Sequence, residues 1–108
     1  MVIVETSVFT RQITALMRDE DYAVFQSELA DRPDMGACIP GSGGLRKVRI
    51  AAKGHGKRGG ARVIYYWAVP DSRIFMLLAY AKNDLENLSK DQVKMLRNLV
   101  EKEFADGR

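Results

Sequence analysis

The apolar positions change period several times along this chain, and each change marks an element. MVIVE, Met1 to Glu5, is short and β-branched, which predicts a strand. Phe9, Ile13, Leu16 and Met17 then recur at helical spacing. Thr6 or Ser7 is placed to cap that helix, which should run to about Met17. Arg18-Asp19-Glu20-Asp21 interrupts the pattern. Tyr22, Phe25 and Leu29 resume it on one face of a second helix, from about Asp19 to Ala30. Asp19 is its expected N-cap, and Pro33 closes it because the residue before a proline avoids the helical region. The two helices are expected to form a hairpin.

Asp34 to Gly44 carries four glycines and Pro40 and reads as a loop. From Leu45 to Ala52 the period falls to two, with Val48 and Ile50 facing one way and Lys47 and Arg49 the other, as in a half-buried strand. Lys53 to Gly60, KGHGKRGG, is a loop of glycine and base. Ala61 to Val69, ARVIYYWAV, is the strongest strand signal in the chain. Pro70-Asp71-Ser72 predicts a type I turn. Arg73 to Ala81 is almost uninterruptedly apolar, as in a central strand covered on both faces. After a link over Lys82 to Leu88, Ser89-Lys90-Asp91-Gln92 has the form of a capping box and opens a last helix. Val93, Leu96, Val100 and Phe104 line one face of it, and Met95 is expected in the core with that stripe. The predicted order is β-α-α-β-β-β-α: an α+β fold with a small antiparallel sheet, an N-terminal helical hairpin and a C-terminal helix.

Charge changes this picture at one place. Between Gly41 and Trp67 lie Arg46, Lys47, Arg49, Lys53, Lys57, Arg58 and Arg62, and no acid. The whole chain is only +3, so its other ten bases stand against fourteen acids, a remainder of about −4. Concentrated like charge repels itself, and a polyanion such as RNA would offset the cost. The 108 residues suit a single domain. No apolar run is long enough to span a bilayer, and MVIVETSVF lacks a basic start, so neither a membrane span nor a secretory signal is expected. One cysteine and one histidine argue against a disulfide framework and a conventional zinc site. No cofactor is expected.

Gly54-His55-Gly56-Lys57-Arg58-Gly59 matches G-x-G-x-x-G, but a dinucleotide site needs a helix next and a strand follows. Arg58 stands where a phosphate-binding P-loop has Ser or Thr. The stretch is better read as a phosphate-binding rim, in which glycines let the backbone approach and Lys and Arg supply charge. His55 lies among bases that disfavour its charged form, and a neutral histidine can act as a general base or donate a hydrogen bond. Of the aromatics Tyr65, Tyr66 and Trp67, two should pack inward. Tyr66 shares a face with Arg62, where an aromatic can stack on an RNA base.

With these elements placed, the chain resembles the RelE/ParE superfamily of toxins from bacterial type II toxin–antitoxin systems, and most the HigB branch. GSGGLRKVRIAAKGHGKRGGARVIYY and LLAYAKNDLENLS carry the resemblance most sharply. It implies a cytoplasmic mRNA interferase, a ribosome-dependent endoribonuclease that cuts messenger in the A site and so inhibits translation. The implied chemistry uses no metal: the ribose 2′-hydroxyl attacks the adjacent phosphorus while Lys and Arg stabilise the transition-state charge. Lys can serve there as base if crowding by other cations lowers its pKa. By the resemblance Lys53, Lys57 and Arg58 are loop bases, Arg62 contacts the scissile phosphate, and Lys82 fills a late basic position. RelE uses a tyrosine where Leu88 stands here, and Tyr80 and His55 are the candidates to replace it. The expected catalytic set is Lys53, His55, Lys57, Arg62 and Lys82. Arg46, Lys47, Arg49, Arg58, Tyr66 and Tyr80 are expected to bind RNA.

The implied partners are the ribosome with its mRNA, a HigA-like helix-turn-helix antitoxin, and operator DNA through that antitoxin. The antitoxin would cover the basic stretch with an acidic segment, or meet the helical hairpin at Asp19, Glu20 and Asp21. Two rivals remain: a ParE-like DNA gyrase inhibitor, whose relatives lack the basic set, and a non-catalytic RNA-binding module.

Overall fold

The protein is represented by a computed structural model that describes residues 1–51, 60–82 and 87–106, with side chains to residue 103. Its elements are β1 (Val2–Glu5), α1 (Ser7–Leu16), α2 (Asp19–Asp31), β2 (Ala37–Cys38), β3 (Leu45–Ile50), β4 (Ala61–Ala68), β5 (Arg73–Ala81) and α3 (Lys90–Asp106). The five strands form one sheet in the order β1-β5-β4-β3-β2. The α+β class and the order of the long elements are those the sequence predicts.

Four details depart from that expectation. The sheet is antiparallel from β5 to β2, but β1 runs parallel to β5, with Val2 opposite Arg73 and Glu5 opposite Met76. The supposed loop contains β2, two residues that pair with Lys47 and Arg46 among glycines and a proline that mask any strand signal. The N-cap of α2 is Arg18, and Asp19, Glu20 and Asp21 form its first turn instead, where the helix dipole favours acids. Met95 is 57% exposed, because α3 turns Leu96 and Val100 to the sheet and Met95 away from it.

The sheet buries both faces. On one, α1 and α2 cover Val48, Val63, Tyr65, Ile74 and Met76 with Phe9, Ile13, Phe25 and Leu29. On the other, α3 covers Leu45, Ile64, Phe75 and Leu77 with Leu96 and Val100. The register shifts between Ile64 and Tyr65, so that Leu77 and Leu78 both join the α3 side. Past the end of β1, the backbone of β5 finds side-chain partners. Thr6 Oγ1 donates to the Leu77 carbonyl at 3.1 Å, and the Ala79 N–H donates to Gln12 Oε1 at 2.9 Å. The helical hairpin is tied back through Glu5, which accepts from Thr10 Oγ1 and Tyr22 Oη, each at 2.6 Å.

The turn after β4 is a single 3-10 turn, Val69–Asp71, with Ser72 left-handed at φ 51°. The capping box forms as the sequence predicts: Gln92 N–H donates to Ser89 Oγ at 3.1 Å, and Ser89 N–H to Gln92 Oε1 at 2.8 Å.

Candidate nucleic-acid interface

Directly opposed residues of an antiparallel pair point to the same face. Arg49 of β3 lies opposite Arg62 of β4, and Arg62 opposite Tyr80 of β5, so the three form one row across the sheet on the α3 side. Lys47, opposite Ile64, stands on the same face two positions along β3. Lys82 follows β5, its backbone N–H donating to the Gly60 carbonyl at 3.1 Å. That bond places Lys82 beside the start of β4, next to Arg62.

Burial rises along the row: Arg49 is exposed, Arg62 half-buried and Tyr80 buried. Like charges opposed across a ladder destabilise it. Among the described residues, no ion pair within 4.0 Å relieves Lys47, Arg49, Arg62 or Lys82. Arg62 Nη1 donates to the neighbouring Ala61 carbonyl, at 3.3 Å. The sheet thus sets two arginines directly opposite each other with no acid in ion-pair range among the described residues, an arrangement that an anion between them would stabilise.

Tyr80 adds a second unmet group. Its hydroxyl is buried and has no hydrogen-bond partner among the described residues. Burial pushes its pKa up, and the Arg62 charge pulls it back in part. The phenol is therefore a neutral donor at physiological pH, next to the cation that faces it.

The other expected residues divide. Arg46 belongs to the opposite face, with Tyr65, because it is one position out of phase with Lys47 and Arg49. Its Nη1 donates to the Gly36 carbonyl at 2.7 Å and the Asp34 carbonyl at 3.2 Å, so it braces the loop before β2, apart from the row. Tyr66 is on the α3 side, but Arg97 lies over its ring at 5.6 Å, and Gly44 sits so close that a Cβ there would come within 3.0 Å of the ring. Lys53, His55, Lys57 and Arg58 lie outside the described residues.

Sequence reasoning passed over Arg97, which flanks the Leu96–Val100 stripe. Besides stacking on Tyr66 it pairs with Glu101 at 3.3 Å, and its Nη1 is buried without a partner among the described residues. Its i, i+4 spacing to Glu101 and its place beside the apolar stripe were the available signals. Leu88 is half-buried against the α3-side core and lines a groove with Lys47, Ile39 and Pro40.

One comparison bears on these residues. A family model described as the RelE toxin of the RelE/RelB toxin–antitoxin system matches residues 34–106, a span that includes β2 to β5, α3 and the whole cationic row.

Proposed function

Because this chain belongs to the RelE toxin family, the toxins of toxin–antitoxin systems, we propose that it is a HigB-like endoribonuclease that cuts messenger RNA in the ribosomal A site. The observation that carries the proposal is the Arg49–Arg62–Tyr80 row, whose two cations and phenol have, among the described residues, neither an ion pair nor a hydroxyl partner. Arg62 binds the scissile phosphate, and Arg49, Lys47 and Lys82 hold the flanking backbone. The 2′-oxygen bonds to phosphorus as the bond to the 5′-oxygen breaks, leaving a cyclic phosphate and a free 5′-hydroxyl. One group takes the 2′-hydroxyl proton and another protonates the leaving oxygen. Lys53, Lys57 and His55 are our candidates for these two roles. The cations matter most as charge builds on the phosphoryl oxygens, where fixed donors act with little reorganisation.

The test is induction of Arg62→Ala beside the wild-type chain, with messenger 5′ ends mapped and growth followed. Loss of an interaction made chiefly in the transition state should remove about 2.7–4 kcal/mol of stabilisation, by analogy with an oxyanion donor. We expect ribosome-phased cuts and growth arrest from the wild type, and neither from a folded Arg62→Ala chain. Full arrest by that variant, or an SOS response without cleavage from the wild type, would overturn the proposal.

A further inference from the structure

We propose that the groove between α2 and the outer edge of β3 is the docking surface for the antitoxin, and that it takes a short amphipathic helix whose apolar side chains are flanked by Lys or Arg. The inference rests on the chain being a toxin with an antitoxin partner, and it locates the contact on the α2 side of the sheet, at the edge where Arg49 ends the cationic row.

The groove encloses about 450 Å³ and is floored by Met17, Phe25, Met35 and Ile50. Its α2 wall is Asp21, Val24, Phe25 and Glu28. These positions are i, i+3, i+4 and i+7, one face of a helix. Phe25 turns into the core at 5% exposure, whereas Val24 stands 58% exposed between the two acids. The whole of α2 carries Asp19, Glu20, Asp21, Glu28 and Asp31 and no base. Asp21 is paired with Arg18 at 3.0 Å, but Glu28 has no ion-pair partner among the described residues.

Charge selects the occupant. The acids on the wall repel nucleic-acid phosphate and anionic lipid, so a basic protein segment fits and those two do not. Seven residues of helix rise about 10.5 Å, which spaces Asp21 and Glu28 to meet two bases two turns apart on a partner helix. An apolar side chain between those bases would cover Val24 and reach the groove floor. Helix-in-groove docking of this kind draws its affinity from apolar anchors and its register from the flanking charges. At the β3 end the groove is bounded by Arg49, so the partner's bases belong at the α2 end. Arg49 is also the outermost member of the cationic row. A partner seated here stands beside that row without lying across Arg62, and blocks ribosome access by its bulk.

The experiment uses the intact toxin and the antitoxin that co-purifies with it. Val24→Arg/Glu28→Lys should weaken antitoxin affinity at least tenfold, about 1.4 kcal/mol. The same variant should still arrest growth, which shows that it folds, and the antitoxin should no longer rescue it. The milder pair Val24→Ser/Glu28→Gln should shift affinity the same way by a smaller factor. Lys47→Glu/Arg62→Glu on the other face should bind antitoxin as the wild type does. Unchanged affinity in both α2 variants, loss of affinity in the Lys47/Arg62 variant alone, or α2 variants that dissociate a dimer of the toxin itself would each overturn the assignment. Affinity is read apart from toxicity, so a wild-type chain that binds antitoxin through α2 but cuts no messenger would count against the functional reading and not against this surface.

Discussion

Tyr65 is fully buried, yet both capacities of its hydroxyl are used. It donates to the Pro33 carbonyl at 2.6 Å and accepts from the Gly36 N–H at 2.9 Å, pinning the segment that leads into β2. Gly36 lies so close that a Cβ there would come within 2.8 Å of the Tyr65 ring. Tyr65→Phe leaves both backbone groups without that partner, and a buried unsatisfied group costs about 1–3 kcal/mol. Chemical denaturation should show a loss in that range. Tyr80→Phe makes the contrasting case, because its hydroxyl has no partner among the described residues to lose. Its stability should stay level or rise slightly, while messenger cleavage falls. A large drop in stability would show that the Tyr80 hydroxyl serves the fold and not the substrate.

At the scale of elements, two hydroxyl caps carry different loads. Among the described residues, the Ser89 side chain bonds to Gln92 alone, within the first turn of α3. Thr6 caps α1 through the Phe9 N–H at 3.0 Å and also donates to the Leu77 carbonyl across the sheet. Ser89→Ala should cost about 0.5–2 kcal/mol, the usual worth of an N-cap. Thr6→Ala should cost more, because a hydrogen bond worth a further ~0.5–1.5 kcal/mol goes with it. Thermal melts of the two variants decide this, and equal losses would contradict it. The cap at Ser89 was legible because its partner is three residues away. The tertiary half of Thr6 was not, because its partner lies 71 residues along the chain. The same divide runs through the site. Period two in LRKVRI separated Val48 and Ile50 from Lys47 and Arg49, but it could not show that Arg49 faces Arg62, since register is a long-range property. Charge groups Arg46 with its neighbours, whereas the alternation puts it on the face of Val48. Met95 misled because an apolar residue on a helix carries no label for which side the sheet will take.

For the whole molecule, the separation of charge governs how it answers to solvent. If four to six phosphates are neutralised by the bases between Arg46 and Lys82, the logarithm of RNA affinity should fall against that of salt with a slope of about −3 to −4. A flat titration would reduce the cationic row to ordinary solvated surface. Alkaline pH acts on a different set of groups. Burial raises the pKa of Tyr22, Tyr65 and Tyr80, and for Tyr22 the Glu5 carboxylate adds to the effect. In the unfolded chain these phenols ionise near pH ~10, whereas in the folded chain they resist. Their contribution to stability is therefore whole below about pH 10 and drains away as the pH climbs past it. Melting temperatures should hold level from neutral pH to that point and then drop, and Tyr22→Phe should soften the drop.

The parallel pairing of β1 with β5 sets the order in which the chain can fold. β1 finds its neighbour 71 residues further along the chain, with Val2 beside Arg73 and Thr6 bonded to Leu77. Contacts so distant in sequence are slow to form, because the intervening chain must be closed before they return any stabilisation. Until those contacts close, Phe9, Ile13, Phe25 and Leu29 of the helical hairpin lack the sheet they cover. The β4–β5 hairpin is by contrast a local pairing, and it holds Arg62 opposite Tyr80. A chain cut short before β5 would therefore lack both the partner of β1 and the strand that sets Tyr80 opposite Arg62.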